Sequence, residues 1–377
     1  MTADGVNFSL LRHTVGASDL SGDPAYTYDD NGGNADPSFA GFNLGDRGNA
    51  MAALLRDMKA LRPDATILGT PWGPPAWMQV DRKLVGSTTN NQLDHAYAAQ
   101  FGQYFVKYLQ AYQKAGVRID AITIQNEPLN NNGGMPSLVI QADESAGLIH
   151  DNVGPALRGA GFDTQIWAWD HNTDVASYPQ TVLNGASQYV SAVAWHCYAN
   201  PLNWTVLTAF HQANPGVAQY MTECWTSPST PWNQAAGFTM GPLQNWASGA
   251  IAWTLGTDTN YGPHLSGAGA CTTCRGLVTV DAGRGTYSFQ VDYYMLGQFS
   301  KFIPKGATVL SGSGSWTYAD GTGLESVATV NPDGSRTVVI ENKFGNDIYV
   351  TLTTKSGQTW SGRVYKNSVV TWLLPAA

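Results

Sequence analysis

Seven short apolar runs recur between residues 6 and 255, and segments with a helical pattern separate them. The runs occupy residues 6–15, 65–72, 121–127, 164–171, 192–198, 218–225 and 250–255. Nearly continuous apolar strands are buried on both faces, which indicates a parallel sheet covered by helices. Seven such units within about 250 residues predict an α/β fold, a (β/α)8 TIM barrel rather than an open doubly wound sheet.

The segments between the runs carry the spacing of amphipathic helices. Within residues 92–115, large apolar side chains recur every four positions, at Tyr97, Phe101, Phe105 and Leu109. Gly116 follows as a stop signal. The same reasoning predicts helices over residues 47–61 and 143–160.

From about Thr308 the apolar period changes to strict alternation, which is typical of half-buried strands. NPDGS, at residues 331–335, is a hairpin turn signal. The sequence therefore predicts two domains, a catalytic barrel over residues 1–300 and a C-terminal β-sandwich side domain over residues 301–377.

Charge and hydropathy exclude several classes of partner. The net charge is −8 without a long run of Lys or Arg, whereas a nucleic-acid partner needs a basic footprint. No segment approaches about 18 continuous apolar residues, so no membrane span is predicted. We expect a monomer.

The composition favours an extracellular protein that handles sugars. Charged residues are only 13% of the chain, and 13 Trp accompany a neutral polar composition. A low-charge extracellular domain of another kind would have the same composition. No charged-then-apolar leader opens the sequence, so secretion would imply that a leader was removed or that the true start lies upstream.

Four cysteines occur, and CTTC has the two-residue gap of redox and zinc half-sites. Because no second pair of ligands with suitable spacing accompanies it, a disulfide between Cys271 and Cys274 is the better interpretation. Cys197 and Cys224 either form a second disulfide or pack as small buried residues.

Polar and aromatic side chains follow the predicted strands at their carboxyl ends, the rim where a barrel builds its active site. They are Arg12, His13, Trp72, Asn126, Glu127, Asp170, His171, His196, Tyr198, Glu223 and Trp253. Taken singly, Glu127 and Glu223 are better explained as solvated loop acids. Two glutamates at the same rim, however, are the machinery of glycoside hydrolysis.

These motifs resemble glycoside hydrolase family 30, which belongs to a clan of retaining barrel enzymes. The matching pieces are LLRHTVGASDLS, YTYDD, GTPWGPPAWMQ, QNEPL, WDHN, WHCY, TEC and WTLGTD, spread over residues 9–258. The predicted side domain also fits the family. The resemblance implies that Glu127 is the acid/base and that Glu223 is the nucleophile.

Several roles follow from the chemistry of such a pair. Arg12 is placed to keep Glu223 ionised, and burial beside that charge should raise the pKa of Glu127. Asn126 can bond a sugar 2-hydroxyl. No cofactor or metal is required, because protonation and a carboxylate nucleophile suffice.

Further sugar-binding residues are predicted around the two glutamates. The resemblance implies that Tyr198 and His196 orient Glu223. Trp72 and Trp253 offer flat faces for the apolar side of a sugar, although packing in the core would explain them too. The remaining candidate hydroxyl ligands are Asp30, Asp170 and His171.

One departure from the family pattern concerns the front of the barrel. In the clan the acid/base follows the fourth strand, but only two predicted strands precede Glu127. The resemblance therefore implies a truncated barrel without its first β/α unit. Because an open barrel exposes an apolar edge, we expect marginal stability or aggregation. Reversible, cooperative melting at high temperature would contradict this expectation.

The sequence motifs leave several substrates open. Family members act on glucosylceramides, β-1,6-glucans, β-1,6-galactans and glucuronoxylans, and only Arg275 is a candidate ligand for a glucuronate group. The stretch after residue 255 resembles microbial β-1,6-glycanases, which favours an endo-β-1,6-galactanase slightly over an endo-β-1,6-glucanase. A glucosylceramidase or a glucuronoxylanase is an alternative. A non-catalytic sugar-binding protein is the rival from another class.

Overall fold

The computed structural model describes residues 1–2, 4–312 and 314–376; residues 3, 313 and 377 of the two predicted domains lie outside it. The strands are β1 (Leu10–Thr14), β2 (Thr66–Thr70), β3 (Ala121–Ile122), β4 (Gln165–Asn172), β5 (Val190–His196), β6 (Ala218–Glu223), β7 (Gly256–Asp258), β8 (Val278–Asp281), β9 (Thr286–Phe289), β10 (Thr308–Leu310), β11 (Trp316–Thr317), β12 (Gly323–Val330), β13 (Arg336–Asn342), β14 (Ile348–Thr353), β15 (Thr359–Val364) and β16 (Ser368–Leu374). The α-helices are α1 (Gly45–Leu61), α2 (Ala98–Lys114), α3 (Ala142–Gly147), α4 (Gly154–Gly159), α5 (Ser177–Ala186), α6 (Thr205–Ala213), α7 (Gln234–Gln244) and α8 (Val291–Ser300).

Strands β1 to β6 form one parallel sheet in chain order, which is the half-barrel of a TIM barrel. Its concave face brings together side chains from neighbouring strands, including Leu68, Ala121, Trp167 and Ala192. The other face packs on the helices in the largest core cluster. Burial on both faces explains why these strands are continuous apolar runs.

The predicted seventh strand, residues 250–255, is wrong in one respect. It joins the sheet only through isolated bridges that pair Ala250 with Met221 and Trp253 with Trp225. Within the described residues no ladder connects this segment with β1, so the sheet stays open there. The absence of a first β/α unit stays a prediction.

The predicted helices are present, with one irregularity. Helix α2 buries Phe101, Phe105 and Leu109, as the four-residue spacing predicts. The predicted helix over residues 143–160 is divided into α3, a π-helical segment (Leu148–Val153) and α4. None of the helices in the described ranges is long and apolar enough to cross a bilayer.

The C-terminal strands form an antiparallel sheet of β10, β12, β13 and β16, with β11 paired to β12, and a hairpin of β14 and β15. Both parts contribute to one apolar cluster, in which Val338 and Ile340 accompany Val350 and Val364. A second cluster joins this unit to helices α7 and α8. The division between residues 300 and 301 stays a prediction.

Candidate active site

A cavity of about 500 Å³ opens at the carboxyl ends of the barrel strands. Seven of the residues predicted from the strand ends line it: Trp72, Asn126, Glu127, His171, Tyr198, Glu223 and Trp253. The two strand-end glutamates therefore share one cavity, although 96 positions separate them in the sequence.

Glu223 ends β6 and is held by two donors. The Arg12 guanidinium donates to Oε2 at 2.7 Å, and the Tyr198 hydroxyl donates to Oε1 at 2.9 Å. The side chain of Glu223 is 8% exposed, so one carboxylate is fixed and still reaches the cavity. A carboxylate held by two donors in this way has a fixed orientation and is positioned for attack.

Arg12 lies beneath the cavity, not within it. Its nitrogens donate to Thr70, to Glu223, to Asn126 Oδ1 at 2.6 Å and to Asp170 Oδ2 at 3.0 Å, and its side chain is 2% exposed. The structure therefore corrects its prediction as a sugar ligand, since its donors face protein acceptors. Its predicted contact with Glu223 is present.

Asp170 is also a correction, because it is fully buried and cannot bond a sugar hydroxyl. Its two oxygens face donors on five residues: Arg12, Thr70, Thr123, His196 and Thr222. Burial alone would raise the pKa of Asp170, but Arg12 and His196 hold that pKa well below its usual range. The buried carboxylate of Asp170 therefore holds Arg12 and His196 in position.

His196 is fully buried and lies nearer to Glu127 than the resemblance implies. Its Nδ1 is 3.1 Å from Glu127 Oε1 and 3.9 Å from Glu223 Oε1, and its Nε2 is 3.0 Å from Asp170 Oδ1. It is neither a sugar ligand nor mainly an orienter of Glu223. It bridges Glu127 and Asp170.

This bridge opposes the raised pKa that is expected for Glu127. Burial would raise that pKa, but the hydrogen bond and charge of His196 lower it to about 2, assisted by His171 and Asn130. Conversely, burial would lower the pKa of His196, but the charge of Glu223 and the bonds to Asp170 and Glu127 raise it to about 9. The two shifts act in the same direction, because an ionised Glu127 and a protonated His196 stabilise each other.

The remaining predicted ligands differ in position. His171 lines the cavity, and its Nδ1 is 3.8 Å from Glu127 Oε1. Asp30 is exposed, does not line the cavity, and accepts hydrogen bonds from the backbone and hydroxyl of Thr27. Its prediction as a sugar ligand is corrected, because its carboxylate closes a local turn.

Trp72 and Trp253 form one wall of the cavity. Their rings stack with centroids 5.1 Å apart and planes at 30°. The Arg12 guanidinium lies 4.8 Å from the Trp72 centroid. The structure thus combines the two interpretations, since the rings pack on each other and on Arg12 and also border the cavity.

Asp19, a lining residue that the strand-end pattern does not select, lies in the loop after β1. Its Oδ2 accepts from the backbone of Cys271, and its carbonyl accepts from Leu265. Burial, followed by the charge of Glu223, raises the pKa of Asp19 from 3.8 to about 7. Its only signal in the sequence is its place within the GASDLS motif.

We expect Asp19→Asn to stabilise the protein at pH 8 but much less at pH 5. An unfolded Asp ionises near pH 3.8, so the native state binds more protons between that pH and about 7, and stability is lost as the pH rises through this range. At pH 8 the variant avoids the cost of ionising a buried carboxyl group, which is on the order of 2–4 kcal/mol. Urea unfolding at both pH values measures it, with the exposed Asp23→Asn as the control. Equal gains at the two pH values would contradict the burial argument.

Both cysteine pairs form disulfides, Cys271 with Cys274 and Cys197 with Cys224. The Cys271–Cys274 disulfide agrees with the prediction, and the Cys197–Cys224 disulfide shows that this pair bonds and does not simply pack. Cys197 lies between His196 and Tyr198, and Cys224 follows Glu223. The second bridge therefore ties the ends of β5 and β6 together beside the nucleophile candidate.

Removing the Cys197–Cys224 bridge with a double alanine variant should lower the free energy of unfolding by about 3 kcal/mol, because it closes a long loop. The bridge spans 27 positions, whereas Cys271–Cys274 spans 3. The matched Cys271→Ala/Cys274→Ala variant should lose less, since its loop is short. Denaturant titration under non-reducing conditions compares the two, and the reverse order would contradict the prediction.

Glu127, His171 and His196 bring three potential metal-ligand atoms within 4.8 Å of one another. Two imidazoles and a carboxylate suit a transition metal in principle. The proposed chemistry does not need one, and the expectation of no metal stays a prediction.

A half-barrel that presents two carboxylates, with aromatic walls, to one sugar-sized cavity defines a class of protein, the barrel glycoside hydrolases. Residues 1–303 match the Glycosyl hydrolase family 30 TIM-barrel domain, and residues 308–372 match the Glycosyl hydrolase family 30 beta sandwich domain. The chain belongs to glycoside hydrolase family 30. The predicted enzyme class is confirmed.

Relatives and solved structures agree with this assignment. The chain is 67% identical over 380 residues to an endo-1,6-beta-D-glucanase of Neurospora crassa, covering 100% of this chain and 79% of the relative. It is 62% identical over 388 residues to an endo-1,6-beta-D-glucanase of Aspergillus fumigatus, with the same coverages. A solved endo-beta1,6-glucanase superposes with a TM-score of 0.88 at 28% identity, covering 100% of this chain and 85% of that structure.

Proposed function

We propose that the protein is a retaining endo-β-1,6-glucanase in which Glu223 is the nucleophile and Glu127 delivers and removes the proton. The observation that carries the proposal is the convergence of both carboxylates on His196 Nδ1, at 3.1 and 3.9 Å, at one wall of the cavity. Retaining enzymes need two carboxyl groups about 5–5.5 Å apart. Oxygens that lie 3.1 and 3.9 Å from one nitrogen are at most about 7 Å apart, which favours the spacing of a retaining pair over the wider separation of inverting enzymes.

In the first step an oxygen of Glu223 attacks the anomeric carbon while Glu127 passes a proton to the glycosidic oxygen. The bond to the leaving sugar breaks, and a glycosyl ester forms on Glu223. Tyr198 and Arg12, which hold the carboxylate at 2.9 and 2.7 Å, keep its attacking oxygen fixed. Such fixed positioning lowers the entropic part of the barrier.

In the second step water enters from the side of Glu127, which removes its proton as the oxygen attacks the anomeric carbon. The ester bond breaks, Glu223 regains its charge, and the sugar leaves with its original anomeric configuration. Asn126 accepts from Arg12 through Oδ1, so its amide nitrogen is free to bond the 2-hydroxyl of the sugar in the cavity.

The substrate assignment rests on the relatives. The two fungal proteins at 67% and 62% identity are both called endo-1,6-beta-D-glucanases. This reverses the order given by the sequence motifs, in which galactan slightly precedes glucan. Arg275 donates to Asp292 at 2.9 Å and does not line the cavity, so nothing in its position favours a glucuronate ligand.

The two disulfides suit an oxidising compartment such as the extracellular space. We therefore include secretion in the proposal.

The decisive experiment incubates the protein with linear β-1,6-glucan, β-1,6-galactan, glucuronoxylan and glucosylceramide. We expect oligosaccharides of several lengths from β-1,6-glucan, with newly formed reducing ends first in the β configuration by proton NMR. Glu223→Gln is the matched control, since it keeps the size of the side chain. Release of oligosaccharides from another substrate alone would overturn the substrate assignment. New reducing ends that first appear in the α configuration would overturn the retaining mechanism. Binding of the polymer without release of products would favour a sugar-binding protein.

A further inference from the structure

His196 faces three carboxylates, and both of its ring nitrogens are within reach of carboxylate oxygens. Nδ1 is 3.1 Å from Glu127 and 3.9 Å from Glu223, and Nε2 is 3.0 Å from Asp170. The imidazole is completely buried. A buried ring flanked by carboxylates on both edges is stabilised as the cation, in which both nitrogens donate.

The charge balance around the ring supports the same protonation state. Three carboxylates meet one permanent cation, Arg12, which contacts Asp170 and Glu223. The other titratable rings facing the imidazole are His171, with centroids 6.1 Å apart, and Tyr198, at 5.9 Å. A proton on His196 therefore supplies the second cation of the cluster.

We propose that His196 stores the proton that the reaction uses, and that Glu127 carries it between the imidazole and the substrate. This inference rests on the proposed function. His196 is a positioning residue, because Glu127 and not the imidazole contacts the substrate. The negative charge of Glu223, which is lost when the ester forms and regained when it breaks, decides when the proton leaves His196 and when it returns.

The first half of the cycle releases the stored proton. As Glu223 attacks the anomeric carbon, its negative charge disappears into the ester, and the imidazolium loses one of its stabilising neighbours. The proton moves from Nδ1 to Glu127, and Glu127 gives its proton to the leaving glycosidic oxygen. Glu127 ends ionised, and His196 ends neutral with Nε2–H still directed at Asp170.

The second half of the cycle returns the stored proton to His196. Neutral His196 now presents the lone pair of Nδ1 to an ionised Glu127 at about 3 Å, an arrangement that makes the pair a strong base. The attacking water gives its proton to Glu127, and the proton passes to Nδ1. Departure of the sugar returns the negative charge to Glu223, which stabilises the imidazolium again. No net proton is gained or lost over the cycle.

The test compares His196 in the free and the trapped enzyme by ¹⁵N NMR of the histidine rings. A 2-deoxy-2-fluoro-β-gentiobiosyl fluoride should trap the glycosyl ester on Glu223, and mass spectrometry confirms the adduct. Seven His are present, and His196→Gln identifies the signal by its loss. We expect both ring nitrogens of His196 to be protonated in free enzyme at pH 7 and only one after trapping.

The outcomes separate the two claims. Failure to form any adduct would count against the proposed glycosidase mechanism. An adduct with His196 in the same protonation state before and after trapping would overturn the proton store while leaving the mechanism intact.

The pH dependence of His196→Gln provides a second test. Without the imidazole, Glu127 holds its own proton, so the basic limb of kcat/KM should move to lower pH by more than about one unit. The exposed His150→Gln is the control, and its limb should stay in place. A lower kcat with an unmoved limb in His196→Gln would show a purely structural role and would overturn the proposal.

Discussion

Glu223→Ala should reduce the kcat for β-1,6-glucan by at least about 10⁴-fold, because it removes the carboxylate that forms the glycosyl ester in the proposed mechanism. Azide should restore turnover in this variant. It fits the space left by the carboxylate and attacks the anomeric carbon from the face that Glu223 used. The product should be the α-glycosyl azide, which NMR distinguishes from the β form.

Glu127→Ala is the paired variant and should give a different pattern. An aryl β-glycoside with an acidic leaving group needs no proton, so its first step should remain fast while release of the ester becomes slow. Azide then attacks the ester on Glu223 and should yield the β-glycosyl azide. Opposite azide products from the two variants assign the two roles, and the same product from both would refute the assignment.

The control for both variants is a glutamate outside the cavity. Glu144 lies in the first turn of α3, and Gln at the same position can keep the capping interaction. Glu144→Gln should retain the activity of the parent enzyme. A comparable loss in this variant would show that the assay reports general instability and not the loss of a reacting group.

The sequence predicts the helices and strands of the barrel well, because the period of the apolar residues and the stop signals are local. It fails where tertiary contacts break the pattern. The run at residues 121–127 contributes only Ala121–Ile122 to a ladder. Further along, the backbones of Asn126 and Glu127 donate to Pro71 and Asp170 instead of continuing a regular register.

Strand-end positions also predict which residues gather at the site, but not which of them contact a ligand. The register of β4 against β5 shifts between Trp169 and His171, and Asp170 has a φ of +60°. Because side chains alternate along a strand, one such irregularity moves a residue from the cavity face to the interior. Asp170 is therefore buried while its neighbour His171 lines the cavity.

The proton distribution could not be predicted for a related reason. A general acid is expected to have a raised pKa, and burial of Glu127 acts in that direction. The opposing effect comes from His196, which lies on another strand and whose own pKa depends on Asp170 and Glu223. Four residues from four strand ends set the result, so it depends on distances that no local pattern contains.

Arg12→Met should destabilise the protein by about 3–5 kcal/mol, since it leaves two buried carboxylates without their shared cation. Asp170 is fully buried, and Glu223 is 8% exposed on its side chain. Arg12→Lys keeps the charge but has one nitrogen in place of the three guanidinium nitrogens that donate to Thr70, Glu223, Asn126 and Asp170, so an intermediate loss is expected. Arg56→Met is the matched control, because it removes an exposed pair with Asp57 and should cost no more than about 1 kcal/mol.

The pH dependence identifies the cause of that loss. In the parent protein the pKa of Asp170 is depressed, so its contribution is present above the unfolded pKa and is lost as the pH falls. In Arg12→Met the burial of Asp170 is less compensated, its folded pKa rises, and the native state takes up protons more readily. The stability deficit of the variant should therefore shrink between pH 8 and pH 5 in urea unfolding experiments. A deficit of equal size at both pH values would mean that lost packing, and not unpaired charge, destabilises the variant.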